Sequence, residues 1–254
     1  MIRIATSRSV PRCFCVNKYN RILYGETILS IKQDFDPRDR KKYSLEETTF
    51  RRFLVWTVRG LFHMIMVMKV EGLENFPLDG AVIVAANHNT NFDVIPMQLA
   101  LPRPVFFMAK SELFNTPLDP LIRNLGAFPA NRGEKDEWTI RYAHKVLAQG
   151  QTLGMFPEGT RSKGRGLHVA KTGTARMAIK MNCPIIPMAV TGTDQFFKHF
   201  PYRSRVTVKL LPSILPGPHD TPLSLTDRLM FNLAAALPDS MRGVYAEVPK
   251  EFRG

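Results

Sequence analysis

After Gly72 the sequence alternates between short apolar runs and helical segments, and this alternation constrains the fold more than any other feature. The apolar runs have the length of strands covered on both faces, and they lie at 81–86, 105–108, 127–130, 152–156 and 185–190. The segments with helical patterns lie between them, at 93–101, 111–125, 137–149 and 174–181. This order predicts an α/β fold in which a mainly parallel central sheet is flanked by helices.

Two further segments complete this domain. Residues 205–211 alternate between polar and apolar side chains, as an antiparallel or edge strand does. A last amphipathic helix is predicted at 226–237, where Pro238 ends it. Because a chain of 254 residues can bury one substantial core, we expect a single α/β domain over residues 72–254.

Two parts precede this domain. Residues 1–48 read as a basic tail followed by an exposed linker that is dense in charge. Residues 49–71 are predicted to form an amphipathic helix that is apolar over most of its surface. Its polar stripe consists of Arg52, Arg59 and His63. Two interpretations fit: a helix buried against the core, which the pattern alone favours, or a helix in a membrane interface with its basic stripe toward lipid headgroups.

The charge of the chain predicts an anionic partner. Lysine and arginine outnumber aspartate and glutamate by 35 to 22, which gives a net charge of +13. Nucleic acid, a membrane surface and a phosphorylated substrate are the three candidates. The basic residues concentrate in 1–33, 155–180 and 198–209. Because they are not interleaved with aromatic residues and no nucleic-acid-reading module is recognisable, we expect no nucleic-acid partner.

Neither a membrane span nor a disulfide framework is expected. The most apolar stretch, 53–70, is interrupted by Arg59, His63 and Lys69, whereas a spanning helix needs about 20 mostly apolar residues. The three cysteines are Cys13, Cys15 and Cys183. They are too few and too unevenly placed for a disulfide framework or a zinc site, so a reducing compartment is expected.

The first candidate site is the segment 87–93, Asn-His-Asn-Thr-Asn-Phe-Asp, which lies where a predicted buried strand gives way to a helix. Functional groups of α/β folds gather at that edge of the sheet. Asp93 can orient one nitrogen of His88 and leave the other nitrogen free as a general base. The alternative is structural, with His88 as a turn residue and Asp93 as the cap of the following helix. A metal-dependent hydrolase is not favoured, because no third ligand lies at a suitable spacing.

The second candidate site is the segment 156–162, Phe-Pro-Glu-Gly-Thr-Arg-Ser, which also follows a predicted buried strand. Its small residues permit close approach to the backbone, and Arg161 offers a planar fork that suits a phosphate. The alternative is an ordinary turn with a solvated basic face.

Together the two segments resemble the glycerolipid acyltransferase family typified by 1-acylglycerol-3-phosphate acyltransferase. Asn87, His88 and Asp93 match the family's first motif, with Thr90 in place of serine, and residues 156–162 match its third motif in full. The segment 126–132 resembles the second motif and ends in Arg132, although Asn131 stands where aspartate is usual. The segment 186–190 resembles the fourth motif, and Lys171 lies in the basic turn after the third. The likeness covers about residues 50–215.

The resemblance implies transfer of a fatty acyl group from acyl-CoA or acyl carrier protein to a glycerolipid hydroxyl. His88 would act as the general base and Asp93 would orient it. The residues implied for binding the acceptor's glycerol phosphate are Glu158, Gly159, Thr160 and Arg161, and those implied to add positive charge are Arg132 and Lys171. Neither a metal nor an organic cofactor is implied. Since there is no Gly-x-Ser-x-Gly elbow, direct attack is favoured over an acyl-enzyme.

Lipid substrates also imply a membrane surface as partner, which strengthens the interfacial interpretation of the helix in 49–71. We expect peripheral or monotopic attachment on the side that faces a reducing, cytoplasmic compartment. The leading reaction is acylation of 1-acylglycerol 3-phosphate to phosphatidic acid. Two alternatives remain: a different acceptor, either another lysophospholipid or glycerol 3-phosphate, and a catalytically silent lipid-binding protein with the same fold.

Overall fold

The structure is a computed structural model that describes residues 21–24, 27–30, 36–41, 43, 48–131, 136–198, 201–247 and 249–250. The chain divides into two compact units, Met1–Lys41 and Lys42–Gly254. In the first unit, strand β1 (Arg21–Tyr24) pairs antiparallel with β2 (Thr27–Ser30), and a short 3-10 helix spans Pro37–Arg40. The two N-terminal cysteines lie outside the described residues.

The second unit holds the α/β domain. Its described elements are, in chain order, α1 (Thr49–Ile65), β3 (Met66–Glu71), β4 (Val82–Ala86), α2 (Val94–Ala100), β5 (Val105–Lys110), α3 (Asp119–Asn124), β6 (Ala127–Ala130), α4 (Glu137–Ala148), β7 (Thr152–Met155), α5 (Gly173–Met181), β8 (Ile185–Thr191), β9 (Ser204–Leu210) and α6 (Pro222–Ala236). The alternation of strands and helices confirms the predicted fold class.

The strands form one sheet in the order β3-β9-β8-β4-β7-β5-β6. From β8 to β6 all neighbours are parallel, whereas β9 runs antiparallel to β8 and parallel to β3. The carboxyl ends of five parallel strands therefore meet at one edge of the sheet, where α/β folds place their ligands. The loops after β4, β7 and β8 carry the side chains that the next section describes.

Helices cover both faces of the sheet, and each face has its own apolar core. One core joins alternate residues of the central strands to α4, α5 and α6. The other joins the opposite residues of the same strands to α1 and α2. Gly154 of β7 allows α2 to pack this closely, because an added Cβ there would lie 2.7 Å from the sulfur of Met97. The close contact fixes α2, and with it the loop that precedes the helix.

The sequence sets the helix boundaries through local hydrogen bonds. Thr48 accepts a bond from the backbone N–H of Arg51 at the start of α1, and Asp136 accepts one from Thr139 at the start of α4. At α6, Thr221 and Ser224 bond reciprocally as a capping box, with Pro222 at the first helical position. Such caps satisfy backbone N–H groups that have no partner within the helix.

The helix predicted within 49–71 is shorter than expected, because it ends at Ile65. Residues 66–71 instead form β3, which pairs with β9 from Met66 opposite Ser204 onward. Their side chains alternate between the core and solvent, with Met66 buried and Val67 exposed. A period of two is the pattern of a strand, and the apolar content of the segment hid it. The sheet thus begins before residue 72, where the domain was predicted to start.

Two other segments also differ from their predictions, and a third is decided between its two alternatives. Residues 111–125 form a 3-10 helix and then α3 rather than one helix, since Pro117 lies between them. Of the predicted antiparallel or edge strand, the first alternative holds, because β9 is antiparallel to β8 and β3 covers its outer side. The predicted exposed linker includes Tyr43, whose ring packs edge-on against Phe114 and Trp138.

Helix α1 is apolar on two faces. Val55, Val58 and Phe62 pack against the core beneath the sheet. A second row remains exposed, by 58 to 72%, and it consists of Phe50, Phe53, Trp56, Leu61 and Met64. The expected burial of this helix against the core therefore holds for one of its two apolar faces only. Within the described part of the chain, no helix has both the length and the apolar character that crossing a bilayer would require.

Candidate functional site

The loop after β4 carries His88 and Asp93, and the structure brings their side chains together. His88 Nδ1 lies 3.0 Å from Asp93 Oδ2. Asp93 is fully buried, whereas 14% of the His88 side chain is exposed. Although Asp93 stands at the start of α2, its side chain makes no capping bond with that helix. The carboxylate instead turns back toward His88, as an orienting group does.

The remaining positions on the Asp93 carboxylate are also filled. Oδ2 accepts a bond of 2.7 Å from the backbone N–H of Thr90, and Oδ1 accepts bonds from the hydroxyls of Thr90 and Thr193. All these groups are neutral donors, and together they satisfy the buried carboxylate and hold it in place. Among the described residues, no arginine or lysine forms an ion pair with Asp93.

Thr193 is a site residue that the sequence analysis missed. It is 2% exposed and follows β8, whose carboxyl end lies beside that of β4. Its contact with Asp93 joins residues 100 positions apart, so no local motif contains both. The available signal was its place directly after a predicted buried strand of the same parallel sheet.

The His88 ring is held from a second side by Phe156, the first residue after β7. The two rings stack with their centroids 4.0 Å apart and an interplanar angle of 19°. With Nδ1 on Asp93 and one face on Phe156, the ring has a fixed orientation. Its Nε2 atom makes no hydrogen bond with any residue that the structure describes. That nitrogen is therefore available to a ligand.

Glu158 links the two predicted motifs from inside the domain. Its side chain is 2% exposed, and its two oxygens accept backbone N–H bonds of 2.8 Å from His88 and His168. Burial raises the pKa of Glu158, and these two N–H groups act in the opposite direction by favouring the carboxylate. The resemblance implied an acceptor-binding role, but both oxygens already bond to the protein.

Asparagines of the first motif join the same loops. Both polar atoms of the Asn87 side chain bond to the backbone of Val190 in β8, at 2.9 and 2.7 Å. Asn89 accepts bonds from the Ser162 hydroxyl and from the backbone N–H of Gly164. These buried amides fix the loop after β4 against β8 and against the loop after β7.

The basic residues of the third motif lie on the outer side of these loops. Gly159 has a φ of +66°, and an added Cβ there would lie 3.3 Å from the Lys171 side chain. Neither Arg161 nor Lys171 makes an ion pair with a described residue. Thr160 is exposed. Arg132 lies outside the described residues.

Aromatic side chains form the apolar border of the site. Phe92 follows His88 in the first loop, and its ring centroid lies 5.5 Å from that of Phe196 and 6.1 Å from that of Phe197. Phe197 is 57% exposed. The ring of Phe62 from α1 lies 6.2 Å from Phe196, so this aromatic cluster continues to α1.

The arrangement suits proton transfer better than metal or thiol chemistry. A fixed imidazole with one free nitrogen can remove a proton from a hydroxyl, and a lysine or arginine of the adjoining loop can hold an anionic group of the same molecule. Among the described residues, no group of three or more histidine, cysteine, aspartate or glutamate side chains could hold a metal ion. Burial raises the pKa of Cys183 to about 11, which keeps this thiol neutral.

A family model described as acyltransferase matches residues 67–191. This range begins in β3 and ends with β8. It contains both predicted motifs and Lys171, but it stops just before Thr193. The residues that form the site therefore lie almost entirely within the matched segment.

Two relatives carry the name 1-acyl-sn-glycerol-3-phosphate acyltransferase. The one from Borreliella burgdorferi is 31% identical over 148 residues, which is 55% of this chain and 57% of the relative. The one from Salmonella typhimurium is 34% identical over 165 residues, which is 63% of this chain and 64% of the relative. In both comparisons the chain covers less than two thirds of the relative's length.

A solved structure shares the fold. The crystal structure of the 1-acyl-sn-glycerophosphate acyltransferase from Thermotoga maritima superimposes with a TM-score of 0.58. The alignment covers 70% of this chain and 75% of that one, at 24% sequence identity. The likeness extends over most of the α/β domain.

We predict that Glu158→Gln lowers the free energy of unfolding by about 1–3 kcal/mol, because the amide can accept only one of the two backbone N–H bonds. Urea titration followed by circular dichroism would measure the change. Glu112→Gln is the matched control, since that carboxylate is exposed and pairs only with surface groups. Equal effects of the two substitutions would show that the Glu158 contacts add nothing to stability.

Proposed function

We propose that this chain, which belongs to the acyltransferase family through residues 67–191, acylates the sn-2 hydroxyl of 1-acylglycerol 3-phosphate. The product of this reaction would be phosphatidic acid. The donor would be the thioester of acyl-CoA or of acyl carrier protein. The names of the sequence relatives support this acceptor. The observation that carries the proposal is the fixed His88 ring, whose free nitrogen lies at the edge of the sheet. The loop that carries Arg161 is joined to the same segment, because the backbone N–H of Ser162 donates to the carbonyl of His88.

In this proposal His88 acts as the general base. Its Nε2 takes the proton of the acceptor hydroxyl while the oxygen attacks the thioester carbon. Asp93 holds the proton-bearing Nδ1 and stabilises the imidazolium that forms. When the C–S bond breaks, the proton passes to the departing thiolate, and an ester and a free thiol result. No group outside these residues and the two substrates enters the balance, so we propose no cofactor.

The proposed phosphate site uses Arg161, with Lys171 and Arg132 adding positive charge. A guanidinium can meet two phosphate oxygens at once, and neither Arg161 nor Lys171 is engaged by a described carboxylate. Gly159 and Thr160 would let the phosphate approach the backbone of the loop. For Glu158 we propose positioning of the His88 loop in place of a direct acceptor contact, because the side chain is buried and both of its oxygens accept backbone N–H bonds.

The proposed site faces a membrane surface. The exposed apolar row of α1 is larger than a monomeric soluble protein needs, and the aromatic cluster of Phe92, Phe196 and Phe197 extends it toward His88. We propose that α1 lies in the interface and that attachment is peripheral or monotopic, on the side of a reducing compartment. An acyl chain could then pass from the bilayer to the site along apolar side chains.

The first test supplies the purified protein with acyl-CoA or acyl carrier protein donors and a panel of acceptors. We expect thiol release and phosphatidic acid with 1-acylglycerol 3-phosphate, and at least a 100-fold lower kcat, as an order-of-magnitude estimate, for His88→Ala. His219→Ala, in an exposed loop, is the control. If the protein preferred another lysophospholipid or glycerol 3-phosphate, the proposed acceptor would be wrong. If no donor–acceptor pair gave any transfer, the protein would be a catalytically silent lipid-binding protein.

The second test concerns Thr193. Thr193→Val removes a buried hydroxyl donor from Asp93, so we expect kcat to fall about tenfold with little change in KM. Thr193→Ser keeps the hydroxyl and should restore kcat. A Thr193→Val variant that loses stability but keeps the wild-type kcat would assign Thr193 a purely structural role.

The third test concerns the acceptor phosphate. We expect Arg161→Ala to raise KM about tenfold or more for phosphate-bearing acceptors and to leave KM for uncharged acceptors nearly unchanged. Arg165→Ala, on the same loop, is the matched control because it removes an equal charge from an exposed position. Steady-state kinetics with both acceptor types would separate the cases. Equal changes in KM for the two acceptor types would contradict a phosphate contact at Arg161.

A further inference from the structure

A second basic site lies away from His88, in a cavity of about 350 Å³ between the first half of α1 and the connection from α2 to β5. Asp93 precedes α2, whereas the cavity lies at the other end of that helix. Since the seven residues of α2 rise about 10 Å, the cavity is separate from the candidate active site. Its volume is in the range of about 300–1,000 Å³ that is typical of ligand pockets.

The cavity walls carry four positive charges and, among the described residues that line it, no carboxylate. The four side chains are Arg51, Arg52, Arg59 and Arg103. Arg52, Arg59 and Arg103 carry charges of one sign on the wall of one cavity and so repel one another, and Asp79 is the acid whose charge acts on Arg103. An anion in the cavity would relieve this repulsion.

Three of the four guanidinium groups are held in place by the protein. Arg51 lies 4.7 Å from the centroid of the Phe106 ring, and Arg59 donates to the carbonyl of Leu99. Arg103 donates to the carbonyls of Pro77 and Gly150. A guanidinium has five N–H donors, so these bonds fix Arg59 and Arg103 and still leave donors for a ligand. Arg52 is exposed and makes no ion pair with a described residue.

Two further features of the wall indicate what kind of anion fits. Trp56 lines the cavity and also belongs to the exposed apolar row of α1, with 70% of its surface exposed. A ligand there would touch cations on one side and an apolar surface on the other. The side-chain oxygen of Gln98 is buried at the wall and accepts no hydrogen bond within the described structure. A hydroxyl of the ligand could donate to it.

We propose that this cavity binds the phosphate of an anionic membrane phospholipid, with the lipid chains lying along the apolar row of α1. Arginine suits this ligand because its planar fork can meet two phosphate oxygens at once. Indole rings favour the boundary between headgroups and acyl chains, where Trp56 would then lie. The proposal goes beyond the acyl-transfer site and shares no residue with it.

Vesicle flotation without an acyl donor tests the proposal. We expect the protein to bind phosphatidylcholine vesicles containing phosphatidylglycerol, and the double variant Arg52→Ala/Arg59→Ala to bind them about tenfold or more weakly. The matched control is Arg176→Ala/Lys180→Ala, which removes two exposed charges from α5 on the opposite face of the sheet. Equal losses in the two double variants would overturn the proposal.

Two more measurements distinguish lipid binding in the cavity from a loss of folding and from binding of a soluble anion. Because Arg59 bonds to Leu99, the single variant Arg52→Ala should be tested as well, and it too should weaken vesicle binding if the cavity takes the lipid. Trp56 lines the cavity and is far more exposed than the buried Trp138, so a ligand that binds there should change the part of the tryptophan emission that comes from Trp56. Saturation of that signal by micromolar inorganic phosphate without vesicles would assign the site to a soluble anion instead. Acyl transfer in detergent should be unchanged in Arg52→Ala, which separates this proposal from the proposed reaction.

Discussion

The buried carboxylate of Glu158 is the contact on which the geometry of the candidate site depends. It accepts backbone N–H bonds from the loop that carries His88 and from the chain near His168. Asn87 adds bonds from the loop after β4 to the backbone of β8, and Asn89 adds bonds from that loop to the loop after β7. A buried acceptor without a partner is costly, so each of these bonds disfavours any shift of one loop relative to the others.

The same principle governs the charge at the centre of the site. Asp93 is fully buried, and its oxygens are occupied by His88, two donors of Thr90 and the hydroxyl of Thr193. An arginine partner would stabilise the carboxylate more strongly, but it would also weaken the attraction between that carboxylate and an imidazolium. Neutral donors hold the group and leave its negative charge available to His88.

The sequence predicted those parts of the fold and site that depend on local pattern. The buried strands β4, β6 and β7 were predicted because turn residues lie at both ends of each apolar run. The contact between His88 and Asp93 was predicted because the two residues are only five positions apart. Segment 66–71 was misread because an apolar run with weak alternation resembles a helix. The Thr193 contact and the internal role of Glu158 were missed because both depend on how distant strands are ordered in the sheet. That order follows from packing of the whole domain rather than from any one segment.

The two apolar faces of α1 connect the sheet to the proposed membrane surface. β3 runs opposite to β4, so α1 ends at the edge of the sheet where His88 lies and begins near the opposite edge. Its exposed row therefore extends along the domain from the aromatic cluster beside the site to the arginine-lined cavity. Because Val55, Val58 and Phe62 anchor the inner face to the core, the helix cannot rotate to hide the outer one. If the outer face lies in a bilayer interface, the orientation of the domain, and with it the approach to His88, is fixed by the packing of a single helix.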